Sequence, residues 1–191
     1  TNKEALDRSK QNLAKTFAKL VAKEKYTADK SQEIQNNIEY ADSLSAFASI
    51  DLMIEAIIEN LDIKKSVFKQ VEEIVSDECI LASNTSSLSI ASIASACSKP
   101  ERVIGIHFFN PAPLMALVEI IPAVQTRVGL AEEVKELIQS VGKLPVITKD
   151  TPGFIVNRVA RPFYSESIRL LEEGVADAET IDYAMTSVGG F

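Results

Sequence analysis

The sequence is poor in cysteine and has no long apolar run, and each shortage excludes a class of protein. Its two cysteines, Cys79 and Cys97, form no CxxC pair, and a chain of 191 residues needs no disulfide to hold its core. We therefore expect two reduced thiols and a cytoplasmic protein. The apolar runs are far too short to span a bilayer. The polar start of the sequence predicts a helix rather than a signal peptide.

The chain also has fewer basic than acidic residues, 20 against 27, which gives a formal net charge of −7. A surface that binds nucleic acid or an anionic membrane needs a basic face. We therefore expect neither partner, and no metal site is predicted. Hydrophobic residues make up 46% and charged residues 25%, which is typical of a globular chain with a packed core and argues against disorder.

A third absence concerns the glycine-rich turn GxGxxG, which in dinucleotide-binding sheets leads from the first strand to a helix N-terminus that meets the pyrophosphate. None of the seven glycines forms this motif, and the opening pattern predicts one amphipathic helix over residues 1–25. The last residues, Ser187–Phe191, follow a predicted helical pair too small to build its own core. We therefore expect the chain to lack the beginning of such a sheet and to be truncated at both ends.

The pattern between these ends predicts strands that alternate with helices, which is typical of βαβ units and a mainly parallel sheet. Around Asp150–Gly153, proline and glycine interrupt the chain, and only helical pattern follows. We therefore predict a domain boundary close to residue 151. The predicted strands cover residues 51–58, 79–82, 102–108, 116–121 and 145–148, and the further predicted helices cover residues 61–76, 88–96, 130–141, 155–173 and 177–187.

Two polar segments lie where α/β proteins bind ligands. Ser83–Leu88 follows a predicted strand and leads into a helix, at the carboxyl edge of the sheet where ligand sites form. Serine, threonine and asparagine are equally typical of a plain helix N-cap. Lys149–Arg158 crosses the predicted boundary and places Asn157 near any cleft between domains, although a polar residue on a helix face is the simpler interpretation.

A third segment contains His107, the only histidine of the chain, at the end of an apolar strand. A neutral imidazole can accept the proton of an alcohol, and a carboxylate partner can fix the tautomer that this requires. Glu119 lies in the next predicted strand between apolar residues, where a carboxylate usually needs a partner. We therefore predict that these two residues pair. The alternatives are a structural histidine and a glutamate that faces water on an edge strand.

Together, these segments resemble the L-3-hydroxyacyl-CoA dehydrogenase family, which includes the 3-hydroxybutyryl-CoA dehydrogenases. The resemblance covers essentially the whole chain in the family's order and spacing, and it implies an α/β fold with two domains. Residues 1–150 would form a doubly wound Rossmann-type sheet that lacks its first strand and glycine-rich turn, and residues 151–191 would begin an all-helical C-terminal domain for substrate binding and dimerisation. The matching segments are EAIIEN at 55–60, ASNTSSL at 82–88, GIHFFNP at 105–111, LVEI at 117–120 and KDTPGFIVNR at 149–158.

The family resemblance implies an oxidoreductase of fatty-acid β-oxidation that converts (S)-3-hydroxyacyl-CoA and NAD⁺ to 3-oxoacyl-CoA and NADH. His107 would be the general base that removes the 3-hydroxyl proton, with Glu119 holding its ring. Ser86 would bond the substrate oxygen, and Asn157 would position the substrate from the helical domain. All four residues would then be catalytic.

The resemblance also implies contacts with cofactor and substrate. Glu59, Lys64 and Asn84 would bind NAD, with NADP as a possibility, and Asn110 would bind the acyl-CoA beside Ser86 and Asn157. A homodimer through the helical domain is expected. Two relatives of the same fold stay open as alternatives: a dehydrogenase of sugar acids such as L-gulonate, and a non-catalytic crystallin-like protein. A parent protein fused to an enoyl-CoA hydratase also stays open.

Overall fold

The computed structural model describes residues 3–190, which fall into two compact units. One unit contains the chain up to Ile50 together with Glu73–Ser76, and the other contains Asp51–Glu72 and the chain from Asp77 onwards. Among the residues described, no helix combines the length and the apolar character that crossing a membrane requires.

The first unit is helical, with α1 at Lys3–Ala22, α2 at Ala28–Asn36 and a short 3-10 turn at Leu44–Phe47. Helix α1 corresponds to the helix predicted over residues 1–25, of which residues 1 and 2 lie outside the described chain. The sequence pattern does not predict α2, because Ile34 is the only large apolar residue in it. The helix begins instead from a local cap: the Thr27 hydroxyl accepts a hydrogen bond from the Lys30 backbone N–H at 3.2 Å.

The second unit contains a five-stranded sheet in which every strand lies beside its predecessor, in the order β1-β2-β3-β4-β5. Strands β3 and β4 are antiparallel, and the other three neighbouring pairs are parallel. Two consecutive parallel strands need a crossover connection of a dozen or more residues. The loop between β3 and β4 is shorter than that, so these two strands pair antiparallel. The predicted mainly parallel α/β fold is confirmed. The strands are Leu52–Glu55, Ile80–Ser83, Val103–Phe108, Leu117–Pro122 and Leu144–Ile147.

Each helix predicted after residue 60 is present in the second unit, with ends that shift by up to five residues. Gly142, just after the helix predicted over residues 130–141, has a φ of +80°, a conformation that residues with a Cβ rarely adopt and that is typical of a helix C-terminus. After α7 the chain winds on as a π-helical segment, Tyr183–Val188, where the sequence predicts ordinary helix. The helices are α3 at Leu61–Glu72, α4 at Ile90–Ala94, α5 at Leu130–Ser140, α6 at Val156–Glu172 and α7 at Ala178–Asp182.

The core of this unit lies where α5 packs against the middle of the sheet. Leu130, Val134 and Ile138 recur at helical spacing and are at most 3% exposed. They contact buried strand residues such as Ile106 and Ile120. This packing fixes the sheet, and with it the edge at which β1, β2 and β3 end. The domain boundary near residue 151 stays a prediction.

Candidate active site

A cavity of about 420 Å³ opens at the carboxyl ends of β1, β2 and β3, where helix α6 contributes one wall. Strands β1, β2 and β3 run parallel, so the residues that follow them meet at one edge of the sheet. The structure brings seven of the eight predicted site residues to this cavity, and the eighth, Glu119, lies buried behind one of them. The seven are Glu59, Lys64, Asn84, Ser86, His107, Asn110 and Asn157.

His107 and Glu119 face each other across the antiparallel pair of β3 and β4, at directly opposed positions of the two strands. The His107 Nδ1 lies 2.8 Å from Glu119 Oε2, and the glutamate is 0% exposed. A carboxylate can only accept hydrogen bonds, so Nδ1 donates. In the neutral form of the imidazole, the second ring nitrogen, Nε2, then carries no proton, and His107 presents an acceptor at the cavity wall.

The second oxygen of Glu119 binds the beginning of α6. It accepts hydrogen bonds from the backbone N–H groups of Ile155 at 2.9 Å and Val156 at 3.0 Å. The first N–H groups of a helix have no partner inside the helix, and a negative charge is favourable beside them. Glu119 therefore caps α6 from the sheet while it orients the ring of His107.

The turn before α6 has an unusual backbone, because Gly153 and Phe154 both have positive φ, at 77° and 50°. A Cβ atom on Gly153 would lie 3.1 Å from the Arg158 nitrogen, so this position also lacks room for a side chain. The turn buries Phe154 against His107, with ring centres 5.7 Å apart, while Phe109 packs at 4.5 Å. The imidazole is thus held by two aromatic rings as well as by Glu119.

Asn157 lies in the first turn of α6 and donates from Nδ2 to the Ser86 carbonyl at 3.3 Å. The Ser86 backbone N–H in turn donates to Glu59 at 3.1 Å, while the Ser86 hydroxyl has no hydrogen-bond partner within residues 3–190. Asn84 Oδ1 accepts from the Phe108 N–H at 2.8 Å, so the amide NH₂ is the group it has left for a ligand. The cavity therefore offers a hydroxyl and two carboxamides close to His107.

A buried ionic network forms the floor beside β1. The Lys64 ammonium group is 2.6 Å from Glu55 and 3.2 Å from Glu59, and the lysine is 1% exposed. Burial raises the pKa of Glu59, but hydrogen bonds from the Thr85 hydroxyl, the Ser86 N–H and Lys64 outweigh it, so that the pKa is lowered overall. Glu59 therefore carries its charge at neutral pH, which a buried lysine requires of its partners.

Sequence reasoning missed five residues at this site. Glu55 had a usable signal, because it lies beside apolar residues at the end of a strand, as Glu119 does within one. The others gave no comparable signal, since their roles depend on the turn before α6 and on the placement of that helix. The five residues are Glu55, Thr85, Phe109, Phe154 and Arg161.

Two protein-family descriptions match the sequence. "3-Hydroxyacyl-CoA dehydrogenase, NAD binding domain" matches residues 1–151, and "3-hydroxyacyl-CoA dehydrogenase, C-terminal domain" matches residues 153–191. Among curated proteins, the chain is 44% identical over 188 residues to 3-hydroxyadipyl-CoA dehydrogenase of Escherichia coli. It is 42% identical over 181 residues to 3-hydroxybutyryl-CoA dehydrogenase of Clostridioides difficile. These alignments cover 98% and 95% of this chain.

The chain spans 40% of the length of the first relative and 64% of the second. Among solved structures, (S)-3-hydroxybutyryl-CoA dehydrogenase from Ralstonia eutropha superposes with a TM-score of 0.96 at 37% identity. That superposition covers 100% of this chain and 67% of the other.

Proposed function

Because the chain belongs to the 3-hydroxyacyl-CoA dehydrogenase family, we propose that the protein carrying it oxidises (S)-3-hydroxyacyl-CoA to 3-oxoacyl-CoA with NAD. The names of its relatives support this substrate class, since one is named for 3-hydroxyadipyl-CoA and another for 3-hydroxybutyryl-CoA. The observation that carries the proposal is the contact of 2.8 Å between His107 and the buried Glu119 at the wall of the cavity.

In this proposal, His107 is the general base. Its Nε2 accepts the proton of the 3-hydroxyl group, and the ring becomes an imidazolium whose charge faces the carboxylate of Glu119. A positioned base of this kind contributes roughly 10²- to 10⁴-fold to a rate. Phe109 and Phe154 keep the ring in place and exclude water from its apolar faces.

Ser86 and Asn157 are the groups that orient the substrate. The Ser86 hydroxyl donates to the 3-oxygen of the substrate. It is available for this bond because no described residue forms a hydrogen bond with it. Asn157 donates a hydrogen bond to the Ser86 carbonyl at 3.3 Å, which joins helix α6 to the loop after β2 at the cavity wall. Asn110, on the loop after β3, lines the same cavity and is proposed to contact the acyl-CoA.

The side chains at the end of β1 and β2 fit the nicotinamide end of NAD. A carboxamide needs both a donor and an acceptor, and the Asn84 NH₂ and the Glu59 carboxylate supply them. Lys64 holds the Glu59 carboxylate in place through an ion pair. The sequence has no GxGxxG turn for the pyrophosphate, so the fit concerns this end of the cofactor. When bound, NAD supplies the acceptor for the hydride of C3.

The test is an assay of the natural protein that carries this sequence, with a 3-oxoacyl-CoA and NADH, followed by the ultraviolet absorbance of NADH. We expect turnover, and His107→Gln should lower kcat by about 100-fold or more with little change in KM. A variant that keeps more than a tenth of the activity would remove His107 from its role. Replacing NADH by NADPH decides between the two cofactors, and no turnover with any 3-oxoacyl-CoA would overturn the proposal.

We also propose a cytoplasmic homodimer. Helix α6 supports the dimer, because it exposes several large apolar side chains that a second copy could cover. These are Val159, Tyr164, Ile168 and Leu171, each at least 47% exposed. Sedimentation of the natural protein tests it: a monomer at micromolar concentration would overturn the proposal.

A further inference from the structure

Arg161 is a cation of the cavity that no carboxylate neutralises. It lines the same cavity as His107 and Asn157, and it forms no ion pair with any residue between 3 and 190. Other arginines of this unit do pair: Arg127 with Glu133, and Arg169 with Glu166. An exposed guanidinium at the wall of a ligand cavity is a ready partner for an anionic group.

The other cation of the cavity is already engaged. Lys64 binds Glu55 at 2.6 Å and Glu59 at 3.2 Å, and it is 1% exposed. Arg161 is therefore the cation that is available to bind a negative group in the cavity. The carboxylate of Glu59, held by Thr85, Ser86 and Lys64, lines the same cavity and repels such a group.

The position of Arg161 limits which anion it can bind. Arg161 follows Asn157 by four residues on α6, so both residues lie on one helix face with Cβ atoms about 5–6 Å apart. Arg161 lines the same cavity as His107, so an anion that it binds there lies in the cavity of the proposed reacting carbon. The phosphates of coenzyme A are separated from C3 by the whole pantetheine arm, and the pyrophosphate of NAD is separated from the nicotinamide by a ribose. A carboxylate on the acyl chain itself lies close enough to C3 to enter the same cavity.

We propose that Arg161 selects 3-hydroxyacyl-CoA substrates whose acyl chain ends in a carboxylate. In a six-carbon diacid chain, three carbon–carbon bonds of about 1.5 Å each separate C3 from the terminal carboxyl carbon, a span of about 4 Å. A chain of this length keeps its carboxylate inside the cavity of about 420 Å³ that His107 and Arg161 both line. The guanidinium binds a carboxylate with two parallel hydrogen bonds, which a lysine cannot do. The inference rests on the proposed function, because it assigns a substrate class to the same site.

The experiment compares two substrates of equal chain length in the natural protein: 3-hydroxyadipyl-CoA, which ends in a carboxylate, and 3-hydroxyhexanoyl-CoA, which ends in a methyl group. For Arg161→Gln, we expect kcat/KM for the adipyl substrate to fall roughly 10- to 100-fold, while kcat/KM for the hexanoyl substrate stays within about twofold. Arg161→Lys keeps the positive charge but cannot form two parallel hydrogen bonds, so kcat/KM for the adipyl substrate should fall by an intermediate factor. Arg169→Gln, on the same helix but outside the cavity, is the matched control and should change neither value.

Each other outcome has a separate meaning. An equal loss for both substrates would assign Arg161 to a part that they share and would overturn the inference. No loss for the adipyl substrate would overturn it as well. If the unaltered protein turned over neither substrate, the proposed dehydrogenase function itself would fail. Circular dichroism of the Arg161 variants separates all of these results from a failure to fold.

Discussion

Replacing Glu119 by glutamine exchanges one carboxylate oxygen for an NH₂ group at the centre of the site. The backbone N–H groups of Ile155 and Val156 still need an acceptor, so the remaining oxygen stays on them. The NH₂ group then faces His107 Nδ1, which lay 2.8 Å from the lost oxygen. Because NH₂ only donates, Nδ1 must become the acceptor and the ring proton moves to Nε2. His107 would present a donor to the cavity where the proposed reaction needs a base.

The size of this effect follows from the tautomer. In serine proteases, the same exchange at the aspartate behind the catalytic histidine leaves the geometry intact and lowers kcat by about 10,000-fold. Helix α6 stays capped in Glu119→Gln, so the geometry here should survive as well. We therefore expect kcat to fall roughly 100- to 10,000-fold, while KM changes little. The assay is NADH consumption with a 3-oxoacyl-CoA.

The free energy of unfolding distinguishes the two roles of the Glu119 carboxylate, which are to cap α6 and to orient His107. Glu119→Gln keeps both hydrogen bonds to α6, so the free energy of unfolding should fall by about 1 kcal/mol. Glu119→Ala leaves two helix N–H groups and Nδ1 of His107 without partners, and should lower it by about 2–4 kcal/mol. Urea denaturation measures both values. If Glu119→Gln kept kcat within tenfold of the unaltered protein, the assignment of the tautomer to Glu119 would be refuted.

Two further predictions concern the ionic network beside β1. Lys64→Met leaves the buried Glu55 without its cation and should lower the free energy of unfolding in urea by about 3–5 kcal/mol; Lys69→Met, on the exposed face of the same helix, is the control and should change it by about 0.5 kcal/mol at most. The pKa of Glu59 is lowered from 4.5 in the folded chain, so the unfolded chain binds the proton more readily. The resulting stabilisation is present above pH 4.5 and is lost as the pH falls below it. Urea denaturation in this acid range should show a steeper loss for the unaltered protein than for Glu59→Gln, and equal slopes would contradict the assignment.

The fold was predictable because hydrophobic pattern alone decides most of it. Strand β3 is buried along nearly its whole length, and an unbroken apolar run indicates such a strand directly. The pattern failed where a polar contact decides the local structure. The predicted first strand ran to Ile58, but it ends at Glu55, whose carboxylate accepts a hydrogen bond from the Ile57 N–H and turns the chain. Helix α2 was missed for a similar reason, because its beginning depends on the Thr27 cap.

The candidate site was predictable where a single residue is out of place in its surroundings. A carboxylate inside an apolar strand must have a partner, and this reasoning alone joined Glu119 to His107. Phe154 could not be found in this way, because its contact with His107 depends on a backbone turn with positive φ. Arg161 could not be found either, since its place in the cavity depends on where α6 begins. That point is fixed by hydrogen bonds from Glu119, which is 36 residues or more away in sequence.

Two carboxylates bind the beginnings of two helices of this unit: α6, which lines the cavity, and α4, which follows the loop of Ser86. Glu119 caps α6, and Asp150 caps α4 by accepting from the N–H groups of Ile90 and Ala91 at 3.0 and 2.7 Å. Asp150 lies just after β5, so its bond to α4 also fixes where the chain leaves the sheet and turns towards α6. The loop that carries Ser86 precedes α4, and Asn157 lies on α6. Asp150 and Glu119 together therefore anchor the elements that carry these two proposed substrate contacts. The aspartate of the KDTPGFIVNR segment, which touches neither His107 nor Asn157 directly, is in this way needed for the geometry of the site.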